Sequence, residues 1–191
     1  MGETHKIGIS PWTREDYLSE LKEFAEIYKN RPIKNNQGGM KAAQLFYAWF
    51  VTKKIQPTTI IESGVWYGQG TWFFEQAAPE AEIHCLDPVN YVDEEKGYKS
   101  PKAFYYAADF KDMDWTYIDT KNTLCFFDDH QDAMLRLARC AHWGFKRLMF
   151  EDNYPPEQGD CNSLKKVFHE TETGIPLLLP GFSMRDYATH L

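Results

Sequence analysis

Five short apolar runs, each closed by an acidic residue, constrain this chain more than any other feature. They are "TTIIE" (58–62), "EIHCLD" (82–87), "KAFYYAAD" (102–109), "TLCFFD" (123–128) and "FKRLMFED" (145–152). Their length and their β-branched or aromatic content predict strands. Helix-like segments lie between them: "GQGTWFFEQAA" after the first, "QDAMLRLARCAHWG" after the fourth and "DCNSLKKVFHE" after the fifth. Strands alternating with helices imply βαβ units and a mostly parallel α/β sheet with helices on both faces. Parallel strands are covered on both sides, which accounts for runs without polar alternation. Ligands of such sheets bind beyond the carboxyl ends of the strands, where the strand order reverses. The acidic clusters fall at those ends: Glu62, Asp87, Asp109, Asp128 with Asp129, and Glu151 with Asp152.

Two helices are predicted ahead of the sheet. "REDYLSELKEFAEIYKN" repeats apolar residues at Tyr17, Leu21, Phe24, Ile27 and Tyr28, and Thr13 with Asp16 forms a capping box before it. "KAAQLFYAWFVTKK" is apolar on most sides and is expected to be buried. Pro32, Gly38 and Gly39 separate the two. The 191 residues fit one domain, with the N-terminal helices in 1–54 and the α/β core in 55–191.

The net charge of −7 disfavours a nucleic-acid partner, because phosphate contacts need a basic face. No apolar run approaches the ~20 residues of a membrane span, and "MGETHKIGIS" lacks the apolar centre of a signal peptide. The four cysteines, at 85, 125, 140 and 161, show no C-x-x-C spacing. Cys85 and Cys125 sit inside apolar runs and read as small buried residues. A reduced, cytoplasmic protein is the expectation. Aromatics make up 16% of the chain, six of them Trp, enough to build stacking surfaces as well as core.

"IIESGVWYGQGT" ends the first strand at Glu62 and leads through Gly64, Gly68 and Gly70 into a helix. Glycines there let backbone approach a ligand closely, and they also serve any tight strand-to-helix turn. Asp87 ends the next strand 23 residues beyond Gly64, where a carboxylate can grip a ribose diol. Asp109, closing the third run, could take an adenine amino group. The spacing G-x-x-x-G-x-G departs from the dinucleotide fingerprint, and a P-loop's Gly-Lys-Ser/Thr is absent.

The arrangement E-x-G-x-x-x-G, an acid ending strand two, then Asp109-Phe110 after strand three, resembles the Rossmann-like class I S-adenosylmethionine-dependent methyltransferases. The likeness spans roughly residues 55 to 170. It implies S-adenosylmethionine as cofactor, with Glu62, Gly64, Trp66 and Gly68 near the methionine moiety, Asp87 at the ribose, and Asp109 and Phe110 at the adenine end. "NNQGGM" (35–40) either closes over the methionine end or is a plain turn between helices.

In that fold strand four lies between strands one and five. Neighbouring strands are ~4.8 Å apart, so acids ending strands four and five can share a small cation. Asp128, Glu151 and Asp152 offer hard oxygen ligands suited to Mg²⁺ or Mn²⁺. The plainer alternatives are a helix cap for Asp128 or Asp129 and solvated loop residues for Glu151 and Asp152. "GVWYGQG", "FFDDHQDA" and "FEDNYPP" together resemble the metal-dependent sugar O-methyltransferases of the macrocin-type, rhamnosyl and cephalosporin-hydroxylase group. Carried over, that likeness makes Asp128, Glu151 and Asp152 the metal ligands and His130 the general base, with Asp129 and Asp132 as rivals for the base. Asp129 and Asp132 otherwise read as a cap and a solvated helix face.

The acceptor implied is a hydroxyl of a small molecule or glycan, rhamnose or another deoxysugar among them. Trp66, Tyr67 and Tyr154 could stack on its ring or simply pack in loops. A catechol-like or antibiotic acceptor, a hydroxylase-associated protein of the same fold, and a non-enzymatic nucleotide- or metal-binding module stay open. So do a homo-oligomer and a place in a larger multidomain protein. Strand four ends Asp-Asp-His where the group has a longer acid-x-x-His spacing. The last two strands of a full methyltransferase sheet are expected to be reduced or confined to residues 171–191.

Overall fold

The computed structural model describes residues 10–172. The expectation about strands in the C-terminal residues falls almost wholly outside them. Helix α1 (Arg14–Asn30) starts where the capping box requires: Thr13 Oγ1 accepts from the Asp16 N–H at 3.2 Å, and Asp16 Oδ2 accepts from the Thr13 N–H at 2.7 Å. Helix α2 (Ala42–Ile55) buries Leu45, Ala48, Trp49, Phe50, Val51 and Thr52, as its all-round apolar pattern predicts. Tyr17 and Phe24 of α1 close onto it, with ring centroids 4.4 Å apart for Tyr17–Phe50. Lys53 and Lys54 pair with Glu20 and Glu23 across the same contact.

The sheet follows: β1 (Thr59–Ser63), β2 (Glu82–Leu86), β3 (Phe104–Tyr106), β4 (Thr123–Phe127) and β5 (Arg147–Phe150). Helices α3 (Gln69–Ala77), α4 (Ala133–Trp143) and α5 (Leu164–Glu172) follow β1, β4 and β5. All pairings are parallel and the strand order is β3-β2-β1-β4-β5. This is a doubly wound α/β sheet whose order reverses between β1 and β4. Successive side chains point to opposite faces. Ile60, Ile83, Leu124 and Phe126 face the core under α1 to α3, while Ile61, Leu86, Cys125 and Phe127 face a second core with Phe110, Trp115, Phe145 and Cys140 of α4. All four cysteines are free and buried. Among the described residues no helix is long and apolar enough to cross a membrane.

The third strand is shorter than the sequence suggests. It ends at Tyr106, so Asp109 does not close it. Asp109 Oδ1 accepts from the Lys111 N–H at 2.8 Å and caps a 3₁₀ turn, Phe110–Asp112. An aspartate that bonds the backbone two residues on competes with the ladder, and β3 is an edge strand with a ladder on one side only.

Two glycines share a left-handed backbone but not the same surroundings. Gly144 caps α4 at φ 83, and a Cβ there would meet only Thr120 Oγ1, at 3.6 Å. Gly64 follows β1 at φ 88, and a Cβ there would stand 1.9 Å from the Asp128 carbonyl oxygen. Gly144→Ala should therefore cost about 1–2 kcal/mol, the left-handed penalty alone. Gly64→Ala should cost more than about 3 kcal/mol, because the tips of β1 and β4 must part. Urea unfolding of the two variants compares them; equal losses would mean that the tips part without resistance.

Candidate functional site

Register brings the acids together. Ser63, Leu86 and Phe127 are paired across β1, β2 and β4, and Phe127 pairs with Phe150 of β5. The next residue of each strand therefore emerges at one level: Gly64, Asp87, Asp128 and Glu151. The ladder continues a step further, with the Asp128 N–H donating to Ser63 O and the Glu151 N–H to Phe127 O, both at 2.9 Å. A cleft of about 320 Å³ opens above this edge, between the loops after β1, β2 and β4. That volume lies at the small end of ordinary small-molecule sites. Gly38 and Gly39 form its far wall, so the "NNQGGM" segment does reach the cleft.

Of the residues that the sequence assigned to a cofactor, Gly64, Trp66, Asp87 and Asp109 line the cleft. Gly64 forms its floor because no side chain fits under Asp128. Asp87 Oδ2 accepts from the Val65 and Trp66 N–H groups at 3.1 Å, and Oδ1 from the Val89 N–H at 2.9 Å. It thus shapes the turn that carries Trp66. The Trp66 indole donates to Gln37 O at 3.1 Å and packs against Tyr91 and Tyr67. Tyr67 itself is buried and covered by Lys96 at 3.9 Å, so it offers no stacking face.

Three of the assigned residues do not line the cleft. Gly68 is the left-handed cap of α3, closed over by Tyr98 O. Phe110 is 0% exposed, packed in the second core between Trp115, Phe127 and Phe145. Glu62 is 1% exposed and turns beneath α3, where Oε2 accepts from Thr71 Oγ1 at 2.5 Å and from Cys85 Sγ at 3.6 Å. Its direction follows from strand alternation, since it shares a face with Ile60. Burial pushes the Glu62 carboxyl up to about 8; the Thr71 and Cys85 hydrogen bonds oppose this and the charges of Asp87 and Glu75 add to it.

Asp129 is neither a cap nor free. Its Oδ2 accepts from Ser63 Oγ at 2.6 Å and from Arg136 Nε at 3.0 Å. Arg136 also grips Asp109 with both terminal nitrogens, at 2.7 and 2.9 Å. This guanidinium is 4% exposed and joins the ends of β1 and β4 to the turn after β3. The sequence reading missed it. The signal was its place on the buried stripe of α4, with Ala133 and Cys140. Although burial opposes ionisation, the Arg136 fork and the Lys111 N–H hold the Asp109 carboxyl below its usual range. The α4 cap is Asp132, whose Oδ1 accepts from the Met134 and Leu135 N–H groups at 2.8 and 3.2 Å. It too is no solvated face.

The remaining acids lack such partners. One ligand atom each from Asp128, His130 and Asp152 lies within 4.8 Å of the others. Asp152 is 9% exposed; its Oδ2 accepts from the His130 N–H at 3.0 Å, and its buried Oδ1 has no hydrogen-bond partner. His130 sits at φ 53, and its Nδ1 is 2.9 Å from Asp160 Oδ1 and 3.6 Å from Asp152 Oδ1. Burial alone would lower the imidazole, but the Asp160 bond and the charges of Asp152 and Glu151 raise it. Burial, then the charges of Glu151 and Asp152, push the Asp128 carboxyl up to about 9. Glu151 and Asp152 are raised as well, by burial first. Glu151 stands beside the Asp128–His130–Asp152 group, with Oε1 taken by Gln44 Nε2 of α2. Hard oxygens with one buried lone pair unclaimed are a donor set that fits a small divalent cation.

No sequence-family model matches the chain, and no curated protein matches it in sequence. Its likeness is to solved structures. The SAH-bound methyltransferase PaMTH1 of Podospora anserina overlays with a TM-score of 0.51 at 14% identity, over 95% of this chain and 82% of that one. A methyltransferase from Geobacter sulfurreducens overlays at TM-score 0.36 and 13% identity, over 76% and 73% of the two chains. Human N-acetylserotonin methyltransferase, solved with SAM, gives 0.34 and 11%, over 76% of this chain and 51% of its own. The first overlay is the one that bears on the fold, and it agrees with the strand order: a Rossmann-like methyltransferase fold.

Glu62 supplies a pH test. Its carboxyl keeps its proton to about 8 in the folded chain, against an ordinary value of 4.5. The unfolded chain releases that proton first, so the stability it contributes is complete below 4.5 and is lost as pH rises through 8. The loss is at most about 1.4 kcal/mol per pH unit. Glu62→Gln keeps the acceptor for Thr71 and carries no proton to lose. Its stability relative to wild type should climb between pH 5 and pH 8.5 in urea melts; a difference constant with pH would refute the assignment.

Proposed function

We propose that the protein is an S-adenosylmethionine-dependent methyltransferase acting on a hydroxyl oxygen, with a divalent cation held by the acids beyond β4 and β5. The acceptor is a neutral vicinal diol, a sugar such as rhamnose or another deoxysugar of a glycan foremost. One observation carries the reading. The cleft at the strand-order switch point reaches Asp128 and His130, beside acids that no lysine or arginine pairs with among the described residues, and Asp152 Oδ1 there is buried without a hydrogen-bond partner. The satisfied acids, Asp87, Asp109 and Asp129, lie along the rest of the cleft. Support for the cofactor comes from the SAH bound to PaMTH1.

In this reading Asp87 and the Gly64 turn receive the nucleoside, and Trp66 with Gly38 and Gly39 closes on the methionine end. Asp128, Glu151 and Asp152 would hold the cation. Mg²⁺ or Mn²⁺ there would acidify and orient an acceptor hydroxyl. The methyl carbon leaves sulfur as its bond to the acceptor oxygen forms, so a neutral thioether departs and the hydroxyl proton must go elsewhere. His130 takes it at Nε2, since Asp160 engages Nδ1. Positioning does most of the work, because the sulfonium is already activated. No lysine or unpaired arginine lines the described cleft, which suits a neutral acceptor over a phosphorylated one.

Calorimetry with S-adenosylmethionine, with and without Mg²⁺ or Mn²⁺, tests cofactor and cation together. Methyl transfer to rhamnose-containing glycans, set against catechols, tests the acceptor. EDTA should abolish transfer, and Asp128→Ala should lower it at least about a hundredfold. Full activity in either case would remove the cation from the mechanism. No binding of S-adenosylmethionine at millimolar concentration would leave a non-enzymatic module instead.

A further inference from the structure

The segment 36–44 touches the cleft at one end and Glu151 of the acid cluster at the other. At one end Gln37 O accepts the Trp66 indole N–H at 3.1 Å, and the Trp66 ring lies against Gly38. Gly38 and Gly39 are themselves cleft wall. The segment is internally tied, with the Gly39 N–H donating to Asn36 O at 3.2 Å and Met40 buried against Gly70 at the start of α3. It then enters α2, where Gln44 Oε1 accepts from the Lys41 N–H at 2.8 Å. At the other end Gln44 Nε2 donates to Glu151 Oε1, joining residues 107 positions apart. Glu151 in turn follows Phe150 as Asp128 follows its ladder partner Phe127, so the two carboxylates emerge side by side. One amide thus spans the two halves of the site: its oxygen fixes the start of α2 and its nitrogen fixes a carboxylate of the acid cluster.

We infer that Gln44 is a positioning residue that couples occupancy of the cofactor cleft to cation binding at the acid cluster. The inference rests on the function proposed above. A cofactor whose methionine end is seated against Trp66, Gly38 and Gly39 fixes the segment and the first turn of α2. Gln44 then holds Glu151 in place, and Glu151 keeps Asp128 turned toward Asp152 and His130. Without that restraint the acids repel, and each can swing to water. The coupling is favourable and, being a property of equilibrium binding, reciprocal.

The discriminating variant is Gln44→Glu. A carboxylate at this third helical position still accepts the Lys41 N–H and suits a helix start, but has no hydrogen to give Glu151. Gln44→Ala removes both bonds. Mn²⁺ is titrated calorimetrically at pH 8 into wild type, Gln44→Glu and Gln44→Ala, each with and without saturating S-adenosylhomocysteine. In wild type the thioether should tighten Mn²⁺ at least about fivefold, and Mn²⁺ should tighten the thioether by the same factor. In both variants the factor should fall below about twofold, whatever happens to either affinity alone. Because Gln44→Glu keeps the Lys41 bond that starts α2, a loss of the factor in that variant is not a general loosening of the helix. If both ligands bind wild type independently, or Gln44→Glu keeps the full factor, the coupling is refuted while the proposed function stands. If S-adenosylhomocysteine does not bind wild type at all, the two fall together.

Discussion

The parallel ladder across β1, β4 and β5 is the constraint on which everything else depends. Its last two bonds, Asp128 N–H to Ser63 O and Glu151 N–H to Phe127 O, lie beyond the strands proper and fix where the acids emerge. Gly64 lets the first of these form, since any side chain there would strike the Asp128 carbonyl. The ladder is anchored by two apolar layers, so the tips cannot relax apart to separate their charges. Asp128 answers by holding a proton to about 9. Packing on both faces of the sheet is thus what keeps carboxylates at a spacing they would not choose.

Much of this was legible in the chain itself. Thr13 and Asp16 mark the start of α1 because a capping box is a local device, complete within four residues. The strands are legible because both of their faces are buried, and the acids that end them follow from where the runs stop. What was not legible depends on elements far apart in sequence. Arg136 looks like any helix arginine until α4 is laid over the turn after β3, where Asp109 waits. Gln44 looks like a helix-start glutamine until α2 is set beside the tip of β5. Asp109 failed for a local reason: its own side chain turns the backbone out of the strand. Glu62 lies beneath α3 and off the cleft wall, a direction that strand alternation already implies.

Acids in this site fall into two groups, and the division is what gives the cleft a direction. Asp87, Asp109, Asp129 and Asp132 have backbone N–H groups, a hydroxyl or a guanidinium on their oxygens, and so shape loops. Asp128, Glu151 and Asp152 are pressed together, with His130 and Gln44 donating to them. Buried carboxylates in the first condition stabilise; in the second they cost stability unless a cation arrives. A fold that satisfies four acids around the cleft, and presses three together at one end with Asp152 Oδ1 left without a partner, retains that cost where it can be relieved by a ligand.

Under the proposed function the same division bears on which group would act as base. Asp129 has Ser63 and Arg136 on Oδ2 and the Gln131 N–H on Oδ1, so a proton there would weaken its hold on a buried guanidinium. Asp132 would uncap α4. His130 gives up nothing comparable: its ring is exposed, it is oriented at one nitrogen by Asp160, and its backbone is fixed by Asp152. Its left-handed backbone, at φ 53, is tolerated because the Asp152 carboxylate holds the N–H in place. The strain and the hydrogen bond act together. They turn an ordinary strand-to-helix loop into one that presents an imidazole beside the unsatisfied carboxylates.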